Sequence, residues 1–256
     1  MSQQITTIAR YTLLEAMRTR LPQLVLSAIV LLGAAGFFVQ EIAVAESARL
    51  QTGFYSATMR LTSVFITGLY VLSSVTREFN DKGLDVMLAL DLPRSHYILG
   101  KLTGFLAIGA LVAFAVSIPL AFLAAPDAAL QWGLSLAFEL AIVVALSLFC
   151  IVTFSQLMPA ASFVLAFYLL ARALTAMRLM SAHPLTGADT LSHQFISMMM
   201  EGLALVMPAL DGWTQTAWLV NHQAAWLDIG TLAGQSALYV ALLAGATMFD
   251  FYRKNF

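Results

Sequence analysis

Formal charge is scarce in this chain. Its 256 residues hold 13 Lys and Arg against 14 Asp and Glu, 11% in all. A soluble domain carries about 25% charged residues, so a water-facing surface over most of the chain is excluded. Cysteine is nearly absent as well. Cys150 stands alone, so an intrachain disulfide is impossible, and its place in an apolar run says little about redox compartment. The four histidines, His96, His183, His193 and His222, are far apart and form no His-Glu-x-x-His zinc pattern. They lie in predicted loops or near predicted interfaces, whereas an intramembrane serine hydrolase needs its partner His within the bundle. A phosphate loop is missing too. Gly100-Lys101 is followed by Leu102, where a metal-binding Ser or Thr is needed. The chain therefore cannot hydrolyse ATP by that route. No basic run points to nucleic acid, and a net charge of −1 says nothing of partners, because the distribution of charge matters more than its sum. Internal repeats and low-complexity tails are not visible.

What the chain has instead is apolar length. Hydrophobic residues make up 60%, and mean hydropathy is +0.84. Crossing the hydrocarbon core takes about 20 helical residues. Six runs meet that length: Leu21–Gln40, Ala57–Thr76, Leu102–Ala125, Trp132–Ser155, Ala160–Met180 and Ile229–Phe249. The first begins after Arg10, Glu15, Arg18 and Arg20 and continues past Ala34-Ala35-Gly36, so an uncleaved membrane helix is expected rather than a signal peptide. A seventh stretch, Phe195–Leu210, has sixteen residues, contains Glu201 and ends at Pro208 and Asp211-Gly212. That length suits a re-entrant or interfacial helix. The expected fold is all-α: one membrane domain over residues 1–256, with an outer re-entrant segment at 181–228.

Basic residues set the expected orientation. Arg10, Arg18, Arg20, Arg77, Lys82, Arg94, Lys101, Arg253 and Lys254 fall on one side of six spans. The other side has Arg49, Arg60 and Arg178 with Glu41, Glu46, Asp127, Asp189, Glu201, Asp211 and Asp228. Both termini and residues 77–101 are therefore expected in the cytoplasm. Residues 41–56, 126–131 and 181–228 are expected outside. Residues 1–20 are expected to form an interfacial helix with a narrow apolar stripe of Ile5, Ala9, Leu13 and Ala16, broken from the first span at Pro22. A plain extension of the first span is the simpler alternative.

Charge is densest in the hairpin between the second and third spans, where Arg77, Glu78, Asp81, Lys82, Asp85, Asp91, Arg94 and Lys101 cluster. Within it, Gly83–Leu90 has the length of two helical turns, an apolar face of Leu84, Met87 and Leu88, and a stop at Pro93. Two ionisable residues lie deep inside predicted spans. Glu139 is seven residues from Trp132, and Arg172 is nine from Ser181, about 10 and 13 Å below the outer surface. Matched depth on consecutive helices predicts an ion pair or a place on a transport pathway. A packing-specific pair without contact to cargo and a snorkelling Arg172 remain alternatives. The outer segment joins His183, His193 and His222 with Met177, Met180, Met198, Met199, Met200 and Met207. Such soft ligands suit copper(I), but methionine filling apolar gaps is the simpler account, and no metal site is assigned.

The sequence Glu78, then Gly83-Leu84-Asp85-Val86-Met87-Leu88-Ala89-Leu90, then Leu92-Pro93-Arg94-Ser95, then Leu99-Gly100-Lys101 opening a helix, resembles ABC-2 type transporter permeases. The opening Ile8-Ala9-Arg10-Tyr11-Thr12-Leu13-Leu14-Glu15-Ala16-Met17-Arg18-Thr19-Arg20 is similar to the multicopper-enzyme-maturation (NosY-like) branch. Val206-Met207-Pro208-Ala209-Leu210 resembles the Pro-containing outer segment of these families. The resemblance covers the whole length and implies a half-transporter: a homodimeric pore in the bacterial inner membrane, driven by two separate ABC ATPase subunits. ATP and Mg would sit on those subunits, and this chain would hold no catalytic residue and no cofactor. A periplasmic accessory protein would be an optional partner. Gly83–Leu90 would be a coupling helix inserted into the ATPase, with Glu78, Gly83, Leu84, Asp85, Met87, Leu88 and Asp91 as coupling residues. The short outer segment excludes a large extracytoplasmic domain. Two other functions fit the same features: an ion-gradient-driven transporter with Glu139 as proton carrier, which the lack of inverted repeats weakens, and a non-transporting membrane anchor subunit.

Overall fold

A computed structural model describes residues 2–42, 46–81, 93–182, 198–203, 207–221 and 226–253. Among these residues the fold is entirely helical: α1 (Ser2–Arg18), α2 (Leu21–Ile42), α3 (Ser47–Asn80), α4 (Arg94–Ser117), α5 (Leu120–Leu123), α6 (Pro126–Phe154), α7 (Leu157–Ala182), α8 (Thr216–Asn221) and α9 (Trp226–Arg253). One helical turn also spans 198–203, and a 3-10 turn spans Leu210–Gly212. Six segments are long and apolar enough to cross a membrane: α2, α3, α4 with α5, α6, α7 and α9. Of the stretch from Phe195 to Leu210, residues 195–197 and 204–206 lie outside the described residues.

Helix α6 is apolar on every side, and a helix of that kind is stable only when covered all round. It lies at the centre, packed by α3, α4, α7 and α9. Helices α2 and α9 lie at the periphery and leave Leu31, Phe37, Phe38, Leu238, Leu242 and Phe249 exposed. Outward apolar faces match a lipid solvent, where no hydrophobic force drives them inward.

The helices outrun the expected spans. Helix α3 begins ten residues before Ala57 and has 34 residues, about 51 Å against a hydrocarbon core of about 30 Å. Most of the expected 41–56 loop is thus helix. Its polar residues are covered by protein: Gln51 lies on Gly36, Thr52 bonds the Leu123 carbonyl at 3.5 Å, and Ser56 donates to Thr216 at 3.2 Å. Helix α4 starts at Arg94, not Leu102, so the last turns of the expected hairpin are helical. Pro93 precedes it, where a missing N–H removes no helical bond. The third span also breaks after Ser117, where Pro119 cannot donate to the preceding turn.

Side-chain contacts sort the connections into two ends. One end gathers α1, the close of α3, the start of α4 and the close of α9, through Glu15–Arg77, Gln4–His96 and stacked Tyr97 and Phe251 rings. The other gathers the start of α3, Leu123 and residues 210–216.

Helix α1 ends at Arg18, and Pro22 sits in the first turn of α2. Its buried face is shifted from the expected stripe. Ile8, Thr12 and Ala16 are buried, while Ile5, Ala9 and Leu13 are half-buried. The cause is α4. Gly100 and Gly104 let α1 approach so closely that a Cβ would stand 2.7 Å from the Ile8 Cβ and 2.8 Å from the Thr12 Cβ. Buried Thr12 satisfies its hydroxyl on the Ile8 carbonyl at 3.0 Å. Tyr11, Leu14 and Met17 face away and stay exposed.

Candidate functional site

Two polar assemblies stand out, one at each end. At the basic end, Glu78 in the last turn of α3 accepts hydrogen bonds from Tyr97 and Lys101 of α4. Lys101 is buried and Glu78 half-buried, so the pair links two helices from the edge of their interface. Arg77 pairs with Glu15 of α1, and His96 Nδ1 meets Gln4 Oε1 at 2.9 Å. Glu78 is therefore engaged within the chain. Gly83, Leu84, Asp85, Met87, Leu88 and Asp91 lie outside the described residues. What the structure describes is their support: α1 packed on α4, and α3 joined to α4 through Glu78–Lys101 and to α1 through Glu15–Arg77.

The second assembly lies toward the other end. Glu139 is wholly buried in α6, and Arg172 of α7 stands 3.5 Å from it. The two carboxylate oxygens also accept from the Tyr168 hydroxyl at 2.9 Å and the Thr214 hydroxyl at 2.6 Å. Arg172 donates to the carbonyls of Leu210 and Trp213, the latter at 3.0 Å. Arg60 of α3 donates to the Thr214 carbonyl at 2.9 Å, and the Thr214 amide donates to Ser135 at 2.9 Å. Thr175 holds Asp211 at 2.8 Å.

These partners share a purpose. Residues 210–215 are non-α backbone folded in among the helices, and Thr214 is fully buried with a left-handed φ of 47°. Glu139 lies thirteen residues into α6, about 20 Å from its start, deeper than the first estimate because α6 begins at Pro126. Irregular backbone at such depth survives only where protein satisfies its polar groups. Arg60 and Arg172 satisfy three carbonyls, and Glu139 neutralises part of the charge they bring. The ion pair thus holds a buried turn. Among the described residues the Glu139 partners are Tyr168, Arg172 and Thr214, and the residue is wholly buried.

Sequence reasoning missed Arg60, Tyr168, Ser135 and Thr214. Arg60 was legible, since it lies four residues inside the predicted span Ala57–Thr76, where an ionisable residue calls for a partner. Nothing in the pattern marks the other three. His183, His193 and His222 lie outside the described residues. Met177, Met180, Met198 and Met199 are exposed, Met200 is half-buried and Met207 is buried. Among the described residues no three His, Cys, Asp or Glu side chains come together as a metal would require. Set against known proteins, the chain matches no family model and no curated protein.

Proposed function

We propose that this chain is the permease subunit of an ABC-2 type transporter, forming a translocation pathway with a second copy of itself and driven by two separate ATPase subunits. The observation that carries the reading is the platform at the basic end. Helix α1 is seated on Gly100 and Gly104 of α4, and α3 is tied to both through Glu15–Arg77 and Glu78–Lys101. A hairpin leaving such a platform can pass force into the bundle, because its two roots are joined through Glu78, Tyr97 and Lys101. In this reading Gly83–Leu90 is the coupling helix, α1 lies along the inner leaflet with Tyr11, Leu14 and Met17 toward lipid, and residues 207–221 belong to a re-entrant outer segment. The membrane is the bacterial inner membrane, with both termini in the cytoplasm.

The test is copurification. A tagged chain drawn from its native membrane should bring an ATP-hydrolysing subunit with it, and its absence would remove the proposal. Leu84→Asp and Leu88→Asp should each release that subunit while leaving the membrane domain folded. A buried anchor at a protein interface is worth about 2 kcal/mol or more, roughly thirtyfold in affinity. Undiminished capture by both variants would mean that these leucines do not couple.

Orientation has its own test. In a Cys150→Ser background, a cysteine at position 85 should resist a membrane-impermeant maleimide added to intact cells and react after lysis. One at position 127 should react from outside. Labelling of position 85 in intact cells would invert the topology.

A further inference from the structure

Hydroxyls on the helices of this bundle mostly bond back to their own backbone. Ser63, Thr76, Thr103 and Thr247 each donate to a carbonyl one turn earlier, at 2.7–2.8 Å. Thr67 of α3 and Ser147 of α6 do not. Both are fully buried, and neither hydroxyl has a partner among the described residues. They stand at one level of the bundle. Helices α3 and α6 pack together, and Arg60 and Glu139 both reach Thr214. Thr67 is seven residues beyond Arg60, and Ser147 is eight beyond Glu139, about 10 and 12 Å toward the basic end. The Ser147 Oγ lies 3.6 Å from where a Cβ on Gly68 would stand, so this side chain points off α6 onto α3.

The outer end of the same interface is closed at a cost. Thr214 is β-branched and holds a left-handed φ of 47°, a strained backbone for such a residue. Its carbonyl is held by α3, and its amide and hydroxyl by α6. Arg60, which holds the carbonyl, keeps a buried Nε without a partner. Unmet polar groups away from water are costly. If α3 and α6 part and water enters, the Thr67, Ser147 and Arg60 groups are met and Thr214 is released.

We propose that α3 and α6 of a single chain part from the outer end to form a crevice for water and small polar solutes, reaching as deep as Thr67 and Ser147. The crevice deepens the transport reading by placing a polar passage within one chain. Its test involves no ATPase, so the two can fail separately.

Cysteine accessibility in native membranes tests it, in a Cys150→Ser background. The probe is impermeant methanethiosulfonate ethylsulfonate, added on the side from which a cysteine at position 127 reacts. Thr67→Cys and Ser147→Cys replace hydroxyls that bond nothing, so the fold should persist, and thermal melting of each purified variant establishes that. Both should be modified about tenfold faster than Ala145→Cys or more, through local opening. Ala145 is as buried as Ser147 but lies about 200° around α6 from it. Arg60→Gln removes the charged tie to the Thr214 carbonyl. It should raise both rates about tenfold, the worth of one hydrogen bond to a charged group, and leave Ala145→Cys unchanged. Modification at 67 and 147 no faster than at 145 overturns the proposal, since the two hydroxyls would then meet at most a sealed water. Rates that Arg60→Gln leaves unchanged overturn it as well.

Discussion

Arg172→Gln is expected to lower the thermal stability of the purified chain more than Glu139→Gln, and the double variant is expected to recover part of the loss. The asymmetry follows from what each charge keeps. Without Glu139, Arg172 still donates to the carbonyls of Leu210 and Trp213. Without Arg172, the fully buried Glu139 keeps the Tyr168 and Thr214 hydroxyls and the weaker attraction of Arg60, and those two carbonyls lose their donor. Leaving one member of a buried pair uncompensated costs about 3–5 kcal/mol, whereas removing both charges is far milder. A melt followed by fluorescence-detected size exclusion reads the order directly. If the double variant is at least as unstable as Arg172→Gln, the two charges do not act as a pair. Should all three fold normally and fail only in transport, the turn does not depend on them.

Gly104→Ala is expected to be disproportionately damaging for the addition of one methyl group. Its Cβ would stand 2.8 Å from the Thr12 Cβ and 3.0 Å from the Ala9 carbonyl oxygen. Backbone cannot rotate aside, so α1 must lift from α4. Overpacking of this kind costs about 1–3 kcal/mol. Gly109→Ala on the same helix is the control, because its Cβ would meet Leu140 at an ordinary 3.5 Å, and alanine is the better helix former by about 1 kcal/mol. Gly104→Ala should also reduce chemical cross-linking between cysteines placed at Gln4 and His96 in a Cys150→Ser background, since those side chains meet across the α1–α4 interface. Equal melting of the two alanine variants would mean that α1 does not approach α4 so closely.

The helix content, the six apolar lengths and the break near Pro22 were legible because each is local. A run of about 20 apolar residues can satisfy its backbone in lipid only as a helix, and proline acts on its own turn. The matched depth of Glu139 and Arg172 was legible for a similar reason: rise per residue converts position into height. The helix ends were less so. Ser47–Ser56 and Arg94–Lys101 are too polar for an apolar window, yet they are helical because neighbouring helices cover Gln51, Thr52 and Lys101.

The sequence by itself determined that the described residues include six membrane-length helices, with most of their basic residues toward one end. Both properties sum over residues near one another and need no knowledge of neighbours. Only the tertiary structure decided that α1 rests on two glycines of α4, and that Arg60 and Arg172 serve the backbone of a buried turn. Arg60 and the carbonyl it serves are 154 positions apart. No periodicity carries that distance. In a medium without water an arginine must find an acceptor somewhere, and which one it finds depends on how the helices pack, not on the helix that bears it.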